Sequence, residues 1–256
     1  MNEKVNYNQI SSQYDQRYEA SPLIGILNSL KNVVRKSNVH WILEIGCGTG
    51  YWLNNFTSSE ICFGVDSSFG MLKEAKKNNP KLNLICADAN KLPFVKKRFY
   101  FIYCINAIHH FRDKEKFVST SSQLLISNGI FSIYGLDPSL LRDQWYIYDY
   151  FKGTFERDLK RFPTLKQLKS WMKIFRLKEI EIKLVEQVNN DIIGSDVLND
   201  SFLRKEQSSQ LALLSNEEYK IGIDKIRHDI SSAEKENKTI SFPVKLNFYS
   251  VTGKKI

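Results

Sequence analysis

Apolar residues gather in short runs separated by longer polar, helix-compatible stretches. Four runs come first: Trp41 to Ile45, Ile61 to Val65, Leu82 to Cys86 and Phe99 to Ile105. Short continuous apolar runs bounded by Gly, Asp or Asn suit strands buried on both faces of a sheet. A fifth run spans Gly129 to Gly135, and two further strand candidates lie at Leu177 to Val188 and Val244 to Thr252. Strands that alternate with helical segments predict βαβ units, hence an α/β fold: a Rossmann-like, mostly parallel seven-stranded sheet with helices on both faces. Residues 1–40 read as an N-terminal helical segment, polar through Tyr14, Arg17 and Tyr18. From Pro22 they become apolar-periodic at Leu23, Ile26, Leu27, Leu30 and Val34. No internal repeat, heptad or low-complexity linker divides the chain, so residues 1–256 are expected to form one domain.

Two connections exceed what such a fold needs. Residues 137–176 contain the aromatic run WYIYDYF and a helix opened by Pro163 and Thr164. Residues 189–243 read as helical, with Ser215 as N-cap and Glu218 in the capping-box position, followed by an apolar stripe of Tyr219, Ile223, Ile226 and Ile230. Both are too apolar for disorder.

The end of the first run sharpens the picture. Leu43 to Gly50 reads LEIGCGTG, a strand that ends in Glu44 and three alternate glycines. Gly46, Gly48 and Gly50 permit positive φ and let peptide N–H groups approach a ligand. The dinucleotide spacing G-x-G-x-x-G would place glycine at 51, where the chain has Tyr51, so a pyrophosphate cradle is disfavoured. Asp66 ends the second strand, where a carboxylate meets ribose hydroxyls in nucleotide-binding sheets.

The pattern E-x-G-x-G-x-G resembles the first motif of the class I S-adenosylmethionine (SAM) dependent methyltransferases, of the small-molecule, type 11-like group. ADANKLPF, with Asp88 and Ala89, resembles that family's adenine-side motif, and Asn106 followed by AIHHF resembles its segment after the fourth strand. YDQRY resembles the N-terminal segment that closes over SAM, with Tyr14 beside the cofactor and Arg17 facing the methionine carboxylate. The resemblance implies SAM as cofactor. It also implies a binding set of Tyr14, Arg17, Glu44, Gly46, Cys47, Gly48, Gly50, Asp66, Ser67, Met71, Asp88, Ala89 and Asn106. The last strand is expected to be inserted antiparallel. Two positions depart from the pattern: Tyr100 replaces an acidic residue, and Ser127, Asn128 and Gly129 replace a Pro-Gly-Gly turn. In this topology ligands bind outside the carboxyl ends of the strands, so residues 137–176 and 189–243 are expected to cover the substrate.

In-line methyl transfer demands alignment, exclusion of water and a base only if the acceptor arrives protonated. His109 and His110 are the candidate proton acceptors. Asp137, Arg142, Trp145, Tyr146 and Tyr148 are the candidate substrate residues, offering a carboxylate, a guanidinium and aromatic faces.

Composition bounds the partners. The 256 residues carry a net charge of +9, which admits nucleic acid. The basic groups, Lys96 to Arg98 and Lys166 to Lys178 among them, are dispersed, so a small-molecule acceptor is favoured over RNA. A tRNA wobble-uridine-type methyltransferase and a SAM-binding regulatory protein without turnover are the alternatives. No apolar run reaches membrane-span length and no signal peptide is visible, so the expected location is cytoplasmic with no membrane partner. Cys47, Cys62, Cys86 and Cys104 form no C-x-x-C pair and read as reduced structural thiols, with no metal site.

Overall fold

The computed structural model describes residues 11, 14, 15, 22–36, 41–56 and 61–256. A helix, α1 (Ile24–Lys36), precedes β1 (Trp41–Ile45) and β2 (Ile61–Asp66). The crossover between these strands holds only a 3-10 turn, Leu53–Phe56, among its described residues. Helix α2 (Phe69–Asn78), β3 (Asn83–Cys86), β4 (Phe99–Ile105), α3 (Lys114–Leu124) and β5 (Leu125–Gly135) follow. Ser68 caps α2 by accepting from the Met71 N–H, and Asp113 caps α3 by accepting from Lys116. The chain then forms β6 (Gln144–Trp145), α4 (Tyr146–Tyr150), α5 (Thr154–Arg161), α6 (Leu165–Ile174) and β7 (Leu177–Ile193). Helices α7 (Ser209–Ala212) and α8 (Asn216–Lys235) and strand β8 (Ser241–Lys255) complete it.

The sheet order is β3-β2-β1-β4-β5-β8, with β6 and β7 both paired to β8. β1 to β5 run parallel, whereas β8 is antiparallel to β5, β6 and β7. The expected architecture is present, with the two-residue β6 as an eighth strand. The predicted capping box of Ser215 with Glu218 forms, and Thr164, at the opening of α6, makes another with Gln167.

The late strands outrun their expected limits. β8 pairs with β5 only from Tyr249 onward, opposite Gly135, while its first half continues against β7 as far as Ile193↔Ser241. A two-stranded arm thus overhangs the carboxyl edge of the sheet by roughly 25 Å, at about 3.3 Å per residue. The long connection between β7 and β8 is therefore residues 194–240, five residues shorter at its start than the sequence suggests.

Period-two burial divides the interior. On one face, Phe101, Tyr103, Ile105 and Tyr134 pack with Ile26, Leu30 and Trp52; the same cluster continues along Phe242, Val244, Leu246 and Phe248 of the arm to Trp145, Tyr146, Val197, Leu203 and Ile226. On the other, Ile102, Cys104, Phe131 and Ile133 pack with Phe117, Leu168 and Met172. The segments around the arm are thus one apolar body with the first face, a cap standing on the carboxyl edge.

Candidate active site

The glycine turn shows why each glycine is needed. Gly46, Gly48 and Gly50 have φ of 77°, 51° and 77°, in the region that side chains avoid. A Cβ at Gly46 would also collide with Ala107 of the segment after β4, and one at Gly50 would come within 2.8 Å of Leu82. Around Gly48 the nearest atom is Tyr14 Cε1 at 3.8 Å, so a side chain there would project into open space beside the turn.

That space is a cleft at the carboxyl ends of β1, β2 and β4, with an empty volume of about 1000 Å³ including its mouth. Its described wall includes Gly46, Cys47, Gly48, Asp66, Ser67, Met71, Asp88, Ala89 and Asn106, together with Tyr14 and His110. Most of the expected cofactor set is brought together here. Asp66 Oδ2 accepts from Gly48 N at 2.9 Å and Oδ1 from Ser68 N at 2.8 Å. Burial raises the Asp66 pKa, while the N–H groups of Ser68 and Gly48 counter part of that rise. A carboxylate oxygen has more than one lone pair, so both can still accept a hydroxyl. Asp88 Oδ1 accepts from Asn90 N at 2.7 Å. Asn106 stands at φ 48°, a left-handed conformation that asparagine tolerates better than most residues.

Two members of the set lie off the wall. Gly50 acts through the turn's backbone, and Glu44 points into the core beneath it, accepting from the hydroxyl of its cross-strand neighbour Tyr103 at 3.2 Å. Burial pushes the Glu44 pKa well up, the Tyr103 bond lowers it in part, and Asp66 adds to the rise. Arg17 lies outside the described residues.

The two histidines separate. Both sit on the 3-10 turn Ile108–His110, but only His110 lines the cleft. His109 is buried behind it, stacked on Phe162 at 4.0 Å and against the His110 ring at 3.9 Å. Adjacent residues on so tight a turn face different sides.

The expected substrate residues are turned elsewhere, and none lines the cleft. Asp137 is buried as a cap: Oδ1 accepts from Ser139 N and Oγ, and Oδ2 from Leu165 N at 2.8 Å. Tyr146 donates to Asp200 at 2.6 Å and Tyr148 to Asp158 at 2.8 Å, while Trp145 is buried against Tyr148 and Phe202. Exposed Arg142 reaches Tyr249 OH at 3.5 Å. These groups bind the cap to itself, because a hydroxyl or carboxylate buried on folding must find its partner inside the protein. In the cap, Leu203 is buried and Gln210 donates to Asp158 at 2.6 Å. Neither they nor Phe202 and Arg204 line the cleft.

Several wall residues escaped sequence reasoning. Thr49 donates to Asp15 Oδ1 at 2.5 Å, drawing the N-terminal segment onto the glycine turn. Tyr51, Trp52, Phe111 and Arg112 complete the wall. Asn90 donates to the carbonyl of Asp113 at 2.5 Å and accepts from its N–H at 3.3 Å, clamping the loop after β3 to the loop after β4.

Residues 43–133, which contain the whole of this wall except Tyr14, match the family described as "Methyltransferase domain". They form a class I methyltransferase domain, the kind that uses S-adenosylmethionine. The chain is 31% identical over 120 residues to a Saccharomyces cerevisiae tRNA (carboxymethyluridine(34)-5-O)-methyltransferase, covering 46% of this chain and 41% of that one. It is 25% identical over 126 residues to a malonyl-[acyl-carrier protein] O-methyltransferase of Hamiltonella defensa, covering 48% of each. The chain thus spans less than half the length of the curated relatives it matches. Among solved structures, a SAM-dependent methyltransferase of Thermotoga maritima aligns over 98% of both chains with a TM-score of 0.61 at 15% identity. A Haemonchus contortus phosphoethanolamine N-methyltransferase 2 in complex with S-adenosyl-L-methionine aligns with a TM-score of 0.55 at 16% identity, over 98% of this chain and 60% of that one. At such identity these structures speak for the fold.

Proposed function

We propose that the cleft binds S-adenosylmethionine and that the protein transfers its methyl group to a small-molecule acceptor. The observation that carries the reading is the convergence on one cleft of a glycine turn free of side chains, Asp66 and Asp88 at neighbouring strand ends, and Asn106 with His110 on the adjoining wall. The fit is chemical: Asp66 suits a pair of ribose hydroxyls and Asp88 an exocyclic amine, while no side chain crowds Gly48. Tyr14, Arg17, Cys47, Ser67, Met71 and Ala89 complete the binding set in this reading. The cofactor would supply a methyl group already activated by its sulfonium. The chain's own part is to hold the reactants in line and exclude water, and His110 accepts a proton from the acceptor where the attacking atom carries one.

A small acceptor is favoured by where the charge lies. Lys97, Arg98, Arg176 and Lys255 sit at the amino edge of β4 and β5, the far end of the sheet from the cleft, so they do not present RNA to it, and the described wall of the cleft carries a single Lys or Arg, Arg112. The carboxyl edge carries the cap instead, residues 137–161 with 194–240, which serves as the acceptor's cover; α6, at the end of the expected 137–176 segment, packs on the second face of the sheet. The similarity to a tRNA methyltransferase favours RNA as the second reading. Both steps are testable. S-adenosylhomocysteine should raise the melting temperature by mass action, and NAD(H) should not. Radiolabelled methyl from SAM should then enter a metabolite filtrate rather than total tRNA; label confined to tRNA would select the second reading.

A further inference from the structure

The amino edge of the sheet gathers basic groups from three separate segments. The turn before β4 is tied to the end of α3, Lys97 N donating to Gln123 O and Arg98 N to Leu124 O. Arg176 and Lys178 open β7, and Lys254 and Lys255 close β8 in register with it, so that Lys178 lies directly opposite Lys254. Like charges facing each other across a strand pair are destabilising. Lys97 and Arg176 both act on Lys255.

Among the described residues no ion pair involves these cations. The nearest carboxylates in sequence are exposed Glu179, in the irregular stretch of β7, and Glu181, already paired with Lys183. Arg98 is held in place over the Trp41 ring at 3.6 Å. Exposed aliphatic residues adjoin the cations in sequence: Ile174, two residues before Arg176, is 61% exposed, and Val95, two residues before Lys97, is 71% exposed.

Cations mixed with exposed aliphatic residues suit one kind of partner best. An anionic bilayer surface attracts clustered Lys and Arg and admits short apolar side chains between its headgroups. A single-stranded nucleic acid would call for exposed aromatic or guanidinium stacking faces, whereas Ile174 and Val95 offer none and Arg98 is already stacked. From this juxtaposition we infer that the amino edge of the sheet is a peripheral docking surface for an anionic phospholipid membrane, with the methyl-transfer cleft facing away from the bilayer. This goes beyond the proposed function and does not depend on it.

The full chain should co-sediment with phosphatidylcholine vesicles containing about a third phosphatidylglycerol, fail to do so with pure phosphatidylcholine, and be released by 0.5 M NaCl. Each charge reversal among Lys97→Glu, Arg176→Glu and Lys178→Glu should weaken binding by more than about fivefold, because it removes one basic residue, worth about fivefold near an anionic surface, and adds a repelled carboxylate. Ile174→Ser should weaken what binding survives at moderate salt. Far-UV circular dichroism and the melting temperature check that the variants remain folded. Equal binding to both vesicle types overturns the inference, as does binding to anionic vesicles that the reversals leave intact. Tighter capture of an RNA oligonucleotide or polyglutamate through the same residues also overturns it.

Discussion

Asp66 Oδ2 accepts a hydrogen bond from the Gly48 N–H at 2.9 Å, so the end of the second strand holds the middle of the glycine turn in place. The same carboxylate is the proposed ribose acceptor. Asp66→Ala should therefore weaken binding of S-adenosylhomocysteine by about 1.5–3 kcal/mol, the scale of charge-assisted hydrogen bonds. Titration calorimetry showing an unchanged dissociation constant would refute the assignment.

The glycines separate stability from binding. Gly46→Ala places a methyl group against Ala107 at positive φ, so it should cost at least about 2 kcal/mol and lower the melting temperature by several degrees. Gly48→Ala meets no close neighbour and should cost only about 1 kcal/mol for its left-handed backbone. Its methyl group enters the cleft, however, so the thermal shift produced by S-adenosylhomocysteine should largely disappear. Denaturation curves with and without ligand distinguish the two.

Glu44 should give the protein an inverted pH response. Its folded pKa is raised well above the usual carboxylate value, chiefly by burial, so the folded state binds a proton that the unfolded state has released. Its contribution is most favourable below about pH 4.5 and declines as pH rises through the unfolded toward the folded pKa. Glu44→Gln keeps an oxygen for Tyr103 without the buried charge and should match or exceed the wild type in melting temperature at pH 8. A steeper loss of stability with rising pH in the variant would contradict this.

Asn90 joins two loops of the cleft through Asp113. Asn90→Ala should weaken S-adenosylhomocysteine binding by about 1 kcal/mol, the worth of the lost hydrogen bonds, while leaving the melting temperature nearly unchanged, since both ends are exposed. Calorimetry alongside a thermal scan checks both halves.

Tyr146→Phe removes the hydroxyl that satisfies Asp200. Leaving the half-buried Asp200 carboxyl with only the Phe202 N–H should cost about 1 kcal/mol. Tyr146 lies off the cleft wall, so cofactor binding should be retained while methyl transfer falls as the cap loosens. A variant with full turnover would argue against the cap as acceptor cover.

The sequence revealed the cleft and concealed the packing of the cap for a physical reason. Strands β1, β2 and β4 are buried on both faces and read as apolar runs, and the glycine turn carries its backbone demand in its composition. Positions of Asp66, Asp88 and Asn106 follow directly, because each ends a strand. Tyr146, Tyr148 and Tyr150, by contrast, look like an aromatic pocket, yet their hydroxyls reach Asp200, Asp158 and Asp229. Those partnerships link residues up to 79 apart and follow from the folding back of the β7–β8 arm, which periodicity does not encode. The clamp between Asn90 and Asp113 was hidden likewise, since each residue alone fits an ordinary turn or cap.

The overhanging arm also sets an order of events. Both segments of the cap precede β8 in the chain, so during synthesis its helices emerge before the strand they stand on. Until β8 slots in between β5 and β7, neither Phe242 nor Val244 is available to Tyr146 and Trp145. The cofactor half, complete by Gly135 apart from its N-terminal cover, can gather its parallel strands earlier. A nascent chain would then acquire its cleft first and its cap last, with the two joined by the final strand to arrive.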